Sequence, residues 1–298
     1  MTDRIIDISD EPARLSVRLK NLVIKQTNND KAIMVPLGDL AVLIMSHPQI
    51  SITQAALAGI VTSGGAVLSC NGKLLPVGLM LPLIGNSIQA ERFAKQASVS
   101  KPIQKQLWKQ IVQAKVLSQA RLLDDHCNDD HGLTLLAQSV RSGDSTNIEA
   151  QASRRYWPNL FDDPSFRRHR DGGGQNNLLN YGYTVLRAIV ARAICAAGLH
   201  PSLGIHHHNR YDSYCLASDL MEPFRTIVDR AVVHHLKSTN VEEAQLDRNS
   251  KETIVSALLG RFSYNSESRT LFDIVTHMAT SLMAVYSSTS KRLSLPEL

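Results

Sequence analysis

Leu107-Trp108-Lys109-Gln110-Ile111-Val112-Gln113-Ala114-Lys115-Val116-Leu117 is where the apolar pattern of this chain changes period. Leu107, Ile111, Ala114 and Leu117 return at helical spacing, with Lys105, Lys109 and Gln113 placed for solvent. Downstream the helical period persists. Leu179, Tyr183, Leu186, Val190, Ala193 and Ala197 form one stripe, closed by Gly198 and Pro201, and Leu271, Ile274, Met278, Leu282 and Val285 form another. Upstream the period is that of strands. Leu15, Val17 and Leu19 alternate with Ser16, Arg18 and Lys20, and Leu22-Val23-Ile24 precedes the turn cluster Asn28-Asn29-Asp30. Ile33, Val35 and Leu37 follow, then the nearly continuous apolar run from Leu40 to Met45. Asn71-Gly72 is a hairpin signal, and a short helix is expected around Gln54 to Val61. The pattern predicts an α+β chain: a small N-terminal antiparallel β domain over residues 1–88, then a larger all-α domain over residues 89–298. Such an architecture assigns no function by itself.

Composition narrows the classes. The chain has 298 residues, 43% of them hydrophobic and 20% charged, which excludes a mostly disordered protein. No apolar run approaches the roughly 20 residues that cross a bilayer. Met1-Thr2-Asp3-Arg4 lacks the basic-then-apolar pattern of a secretory signal. The cysteines Cys70, Cys127, Cys195 and Cys215 form no CxxC pair, so a disulfide framework and a zinc ribbon are not expected and the cytoplasm is. A net charge of +5 permits a polyanionic partner without demanding one.

Three polar stretches carry metal-capable or basic side chains. The first runs Gly204-Ile205-His206-His207-His208-Asn209-Arg210-Tyr211-Asp212 and continues into Leu216-Ala217-Ser218-Asp219-Leu220-Met221-Glu222-Pro223-Phe224-Arg225. Imidazole and carboxylate together suit Mn²⁺ or Mg²⁺ better than a structural zinc. The same spacing also makes Asp219 and Glu222 a capping-box pair, with Arg225 bonded to Glu222 across one turn. The second runs from Asn147 through Glu149, Arg154, Arg155, Tyr156 and Trp157 to Phe161, followed by Arg167, Arg168, His169, Arg170 and Asp171-Gly172-Gly173-Gly174. Glu149 opens a predicted helix, where the macrodipole alone favours a carboxylate. Arg154, Arg155, Arg167, Arg168 and Arg170 form a basic set suited to a DNA backbone. The third, Asp124, Asp125, His126, Cys127, Asp129, Asp130 and His131, fits neither an EF-hand nor a regular zinc spacing and reads as an exposed acidic loop. No phosphate-binding glycine loop, serine-nucleophile elbow or H-E-x-x-H motif is present.

Taken together, Glu149 with Ala152, Arg154, Tyr156, Trp157 and Phe161, then Leu179-Asn180-Tyr181-Gly182-Tyr183, then Gly204, His207 and Leu216 through Arg225, closing on Asp229, resemble the CRISPR-associated adaptation integrase. This is the endonuclease that inserts new spacers into CRISPR arrays, and the chain looks most like the version of type II systems. The resemblance covers residues 140–230 in its motifs. It implies a DNA endonuclease and integrase that works by transesterification, the 3′-hydroxyl of incoming DNA attacking a phosphodiester at the repeat boundary. It implies Mg²⁺ or Mn²⁺ held by Glu149, His207 and Glu222, with Asp219 a further ligand or a helix cap; His206 and His208 compete for the histidine register, which the spacing from Gly204 gives to His207. It also implies double-stranded and branched DNA as substrate, a homodimer, and a small dimeric partner protein. The competing class is a non-catalytic DNA-binding scaffold with the same fold.

Overall fold

The computed structural model describes residues 3–28, 31–169, 172–239 and 244–298. Arg170 and Asp171, and the Asn29-Asp30 half of the early turn, lie outside them.

The strands of the N-terminal part are β1 (Arg4–Ile8), β2 (Ala13–Arg18), β3 (Asn21–Gln26), β4 (Ile33–Pro36), β5 (Leu40–Met45) and β6 (Ser51–Ile52). Helix α1 (Gln54–Thr62) follows, and then β7 (Ala66–Cys70) and β8 (Pro76–Met80). They form two sheets, in the orders β4-β3-β2-β6 and β1-β5-β7-β8. The antiparallel arrangement expected from the alternating segments is found in β2-β3-β4 and in the β7–β8 hairpin. It is corrected elsewhere: β1, β5 and β7 run parallel, and so do β2 and β6. The cause lies in β5. Leu43 packs between the two sheets beside Leu15, Leu22, Ile60 and Val67, while Val42 and Ile44 join Ile5 and Leu68 in the core of the helical part. A strand covered on both faces reads as a continuous apolar run, and parallel strands are the ones buried that way. Asn71 makes the hairpin turn by accepting from the backbone N–H groups of Lys73 and Leu75 at 3.0 and 3.1 Å.

The helical part comprises α2 (Gln89–Ala97), α3 (Lys101–Cys127), α4 (Leu133–Gln138), α5 (Ile148–Leu160), α6 (Gln175–Ala196), α7 (Cys215–Leu220), α8 (Arg225–Thr239), α9 (Arg248–Leu258) and α10 (Leu271–Tyr286). The expectation of helices alone is corrected by a hairpin, β9 (Arg261–Tyr264) with β10 (Glu267–Thr270), inserted before α10. α6 is the central helix. A Cβ on Gly182 would lie 2.4 Å from Val228 Cγ1 and 2.9 Å from Ile254 Cγ2, so α8 and α9 cross it at a distance only glycine permits. Its end is the expected stop: Gly198 takes φ +70° and Leu199 N–H donates to Ile194 at 3.0 Å.

The two parts are tied by partly buried polar groups. Asp7 on β1 accepts from the Tyr181 hydroxyl at 2.6 Å and faces Lys251 Nζ at 3.3 Å, outside hydrogen-bond geometry. Arg192 on α6 donates to the Gly64 carbonyl at 2.6 Å. Among the described residues no helix is long and apolar enough to cross a membrane.

Candidate active site

The site is assembled from α3, the start of α5, and the segment between Gly204 and Arg225. Asp144 prepares α5: its carboxylate accepts from the backbone N–H groups of Ile148 and Glu149 at 2.8 and 3.0 Å, capping a helix whose first turn carries Glu149. Glu222 lies in a 3-10 turn, Glu222–Phe224, between α7 and α8 and is 3% exposed. Lys115 reaches both carboxylates from α3. Its Nζ stands 2.6 Å from Glu149 Oε1, with a hydrogen bond, and 2.6 Å from Glu222 Oε2, in an ion pair without hydrogen-bond geometry. Arg225 takes the other oxygen, Oε1 of Glu222, at 2.8 Å.

The histidine comes from a tight clasp. Asp219, 0% exposed, accepts from the backbone N–H groups of Ile205, His206 and His207 at 2.6, 3.0 and 3.2 Å, and its Oδ1 lies 2.5 Å from His207 Nδ1. A carboxylate surrounded by donors accepts from the imidazole too, so Nδ1 carries the proton, and in the neutral ring Nε2 is the nitrogen with the lone pair. Gly204 is required by the turn, because a Cβ there would meet the His207 carbonyl oxygen at 2.3 Å. Trp108, 1% exposed, stacks on His206 at 4.2 Å and meets His207 edge-on at 5.5 Å. The His206 ring thus lies flat on the indole, although the residue itself stays exposed. Asp219 is no helix cap: it sits near the C-terminal end of α7, and its oxygens serve the Gly204–His207 turn.

The charges set the protonation states. Burial works to raise the Glu222 carboxyl, but Arg225 and Lys115 outweigh it and hold it down at about 2. Burial alone would lower the Lys115 ammonium, yet Glu222 and Glu149 keep it above its ordinary value. The bond to Asp219 raises His207 against the effect of burial, with Glu222 and Glu149 adding to the rise. Behind the site Asp229 accepts from the Tyr156 hydroxyl at 2.7 Å and from that of Tyr183, and burial pushes its carboxyl up to about 6 although both hydroxyls and Arg225 pull it down.

A cavity of about 560 Å³ opens beside His207, lined by Arg168, Arg187 and Arg225 and by Asn71, Pro76 and Val77 of the β7–β8 hairpin. Arg168 donates to Asn176 and Asn180 at 2.9 and 2.6 Å, and the guanidinium groups of Arg225 and Arg168 lie 4.6 and 5.2 Å over the Tyr183 ring. Planar, always-charged groups fixed in this way suit phosphate oxygens.

Residues 6–259 match the family described as CRISPR associated protein Cas1. The chain belongs to the Cas1 family. A CRISPR-associated endonuclease Cas1 from Neisseria meningitidis is 35% identical over 96% of this chain and 93% of its own length. Two solved structures share the Cas1 fold: a casposase bound to integration product, with a TM-score of 0.81 at 20% identity over 99% of this chain and 93% of the casposase chain. The other is a Cas6-RT-Cas1–Cas2 complex, with a TM-score of 0.78 at 18% identity over 100% of this chain and 36% of the larger one. The chain is accordingly a CRISPR-associated nuclease of the Cas1 family, the family its three motif blocks resemble.

Of the expected Cas1 site residues, Glu149 and Glu222 converge on Lys115, and His207 stands within electrostatic reach of both. Among the described residues no group of three or more His, Cys, Asp or Glu side chains is drawn together as a metal cluster. The donors nevertheless fit a hard divalent ion: one oxygen from each carboxylate already faces a single cationic point, and the imidazole offers a nitrogen without adding negative charge. Of the basic set, Arg168 enters the cavity, while Arg154, Arg155 and Arg167 are exposed elsewhere, Arg155 bonding the His131 carbonyl at 3.2 Å; Arg170 is outside the described residues. Sequence reasoning missed Lys115, Arg187 and Trp108. Lys115 carried a signal, a lone charge four residues after Ile111 on the apolar stripe. The acidic stretch 124–131 is largely exposed, but the expected loop is corrected in its first half: Asp124, Asp125, His126 and Cys127 form the last turn of α3, and only beyond it do Asp129 and Asp130 accept from backbone N–H groups of His131, Gly132 and Thr134.

Proposed function

We propose that this protein is the divalent-metal-dependent integrase of a CRISPR adaptation complex, joining the 3′-hydroxyl of a short DNA to a phosphodiester at a repeat boundary by transesterification. The observation that carries the reading is the convergence of Glu149 and Glu222 on one cationic point, 2.6 Å from each. In this reading Glu149, His207 and Glu222 hold Mg²⁺ or Mn²⁺. The bound ion supplies stabilisation of the charge that builds on the phosphate and lowers the pKa of the attacking hydroxyl.

The protein's own groups do the rest. Asp219 holds the His207 proton on Nδ1 and turns the Nε2 edge outward. Arg225 fixes Glu222 Oε1 and leaves Oε2 directed at the centre. Arg168, Arg187 and Arg225 line the cavity and receive phosphate oxygens, placing the scissile bond beside His207. Arg154, Arg155, Arg167 and, by its place in the sequence, Arg170 make further contacts to the DNA backbone. No side chain has to form a covalent intermediate. The reading includes a cytoplasmic homodimer bound to a small dimeric partner, acting on double-stranded and branched DNA, and a division of the chain between residues 88 and 89, at the start of α2.

Strand transfer and branched-DNA cleavage with Mn²⁺ test this. Glu149→Ala and His207→Ala are each expected to lose activity by about two orders of magnitude or more while DNA binding persists. Activity that survives both substitutions sinks the metal assignment. The scaffold reading draws on the absence of a preformed ligand cluster among the described residues, and it predicts DNA binding with no metal-dependent strand transfer by the wild-type protein.

A further inference from the structure

Lys115 occupies the place that the proposed function gives to the ion. It stands on the buried stripe of α3, and its Nζ is 2.6 Å from an oxygen of Glu149 and 2.6 Å from an oxygen of Glu222. Arg225 holds the remaining Glu222 oxygen, so the oxygens facing Lys115 are those a metal would use. Without an intervening cation the buried Glu222 and its neighbour Glu149 would repel each other at short range. An ammonium and a divalent ion cannot both sit there, since each would repel the other. Of the two basic groups, Lys115 is the one able to leave: a compact charge on a flexible stem, whereas the Arg225 fork is pinned to Glu222 and stacked over Tyr183.

We propose that Lys115 is a built-in counter-ion which holds Glu149 and Glu222 together in the metal-free protein, and that metal loading is an exchange in which its ammonium gives up that place. The inference rests on Glu149 and Glu222 being ligands. It has two consequences besides activity. Competition lowers the apparent metal affinity: a site open one-tenth of the time binds about tenfold more weakly than its intrinsic value. The displaced ammonium also moves from a shielded ion pair to a position reached by solvent.

Mn²⁺ binding to the DNA-free protein, read from the electron paramagnetic resonance of free Mn²⁺, is compared for wild type, Lys115→Met and Glu149→Gln. Glu149→Gln is expected to bind about tenfold or more weakly than wild type, and Lys115→Met about tenfold more tightly. In parallel, reductive methylation of wild-type lysines is followed by mass spectrometry; labelling of Lys115 is expected to rise severalfold when Mn²⁺ is added. Glu149→Gln binding Mn²⁺ as wild type does would remove the metal reading itself and this inference with it. Weakened binding by Glu149→Gln, with Lys115→Met no tighter than wild type, overturns the exchange alone and makes Lys115 a fixed strut. Lys115 labelling that stays at its metal-free level overturns it however Lys115→Met behaves, including a failure of that variant to fold.

Discussion

Both oxygens of Asp219 are already engaged, by backbone N–H groups of the Gly204–His207 turn and by the imidazole. In the proposed metal site its contribution is therefore orientation. Asp219→Asn is expected to weaken Mn²⁺ affinity by about 10- to 100-fold, measured by titration, because the amide sets its NH₂ against N–H donors and releases the ring. Asp229 predicts a pH effect of definite sign. Its carboxyl moves from 3.8 to about 6 in the fold, chiefly through burial, so the neutral form is the one the fold prefers. That contribution is full below pH 3.8 and is lost as pH rises through about 6. Urea unfolding between these limits should show wild type losing stability relative to Asp229→Asn by on the order of 3 kcal/mol. An unchanged difference between the two proteins across that range refutes it. These residues also mark what a linear sequence conveys. Glu149, His207 and Glu222 were named through the resemblance of their motif blocks to the family, and their ligand role is the one proposed above. The roles of Asp219 and Lys115 were not legible, since each depends on partners 12 to 107 positions away that only folding brings in.

Elements show a similar division. The α3, α6 and α10 stripes and the Asn71-Gly72 hairpin could be read because their partners are local periodicity and local turn chemistry. The direction of β5 depends on β1 and β7, and its continuous run signals burial on both faces without naming the neighbours. The functional elements are stabilised locally as well. Asp144→Ala removes the cap of α5, and thermal or urea unfolding should show a loss of about 1 kcal/mol together with weaker Mn²⁺ binding through Glu149. The basic residues separate in the same way. Arg168→Glu, in the cavity, should weaken DNA binding and reduce its log–log salt slope by about 1, measured by fluorescence anisotropy at several salt concentrations. An unchanged slope would remove Arg168 from the phosphate contacts.

At the scale of the whole molecule, the β1-β5-β7-β8 sheet contributes Ile5, Val42, Ile44 and Leu68 to the same core as the helices. Asp7 adds a partly buried polar tie to Tyr181 and Lys251. Removing it strands a buried ammonium and a buried hydroxyl, so Asp7→Ala is expected to cost about 3 kcal/mol. Denaturation followed by near- and far-ultraviolet circular dichroism should stay a single coincident transition in wild type. Two separated transitions would show that the shared core does not couple the parts.

The clasp between Asp219 and the Gly204–His207 turn has one more consequence. It closes the intervening chain at its base, so the imidazole is located by the knot and not by the segment beyond it. The tip at Asn209, Arg210 and Tyr211 projects outward, with Tyr211 78% exposed and the Arg210 guanidinium 4.7 Å over its ring. Chain outside a closed loop can lengthen or change sequence at small entropic expense. The molecule thereby separates what must stay constant, the aim of one nitrogen, from what is free to diversify, an exposed tip of arginine and tyrosine. Loop libraries over residues 209–211 should retain the metal affinity of the parent while altering which DNA ends are used.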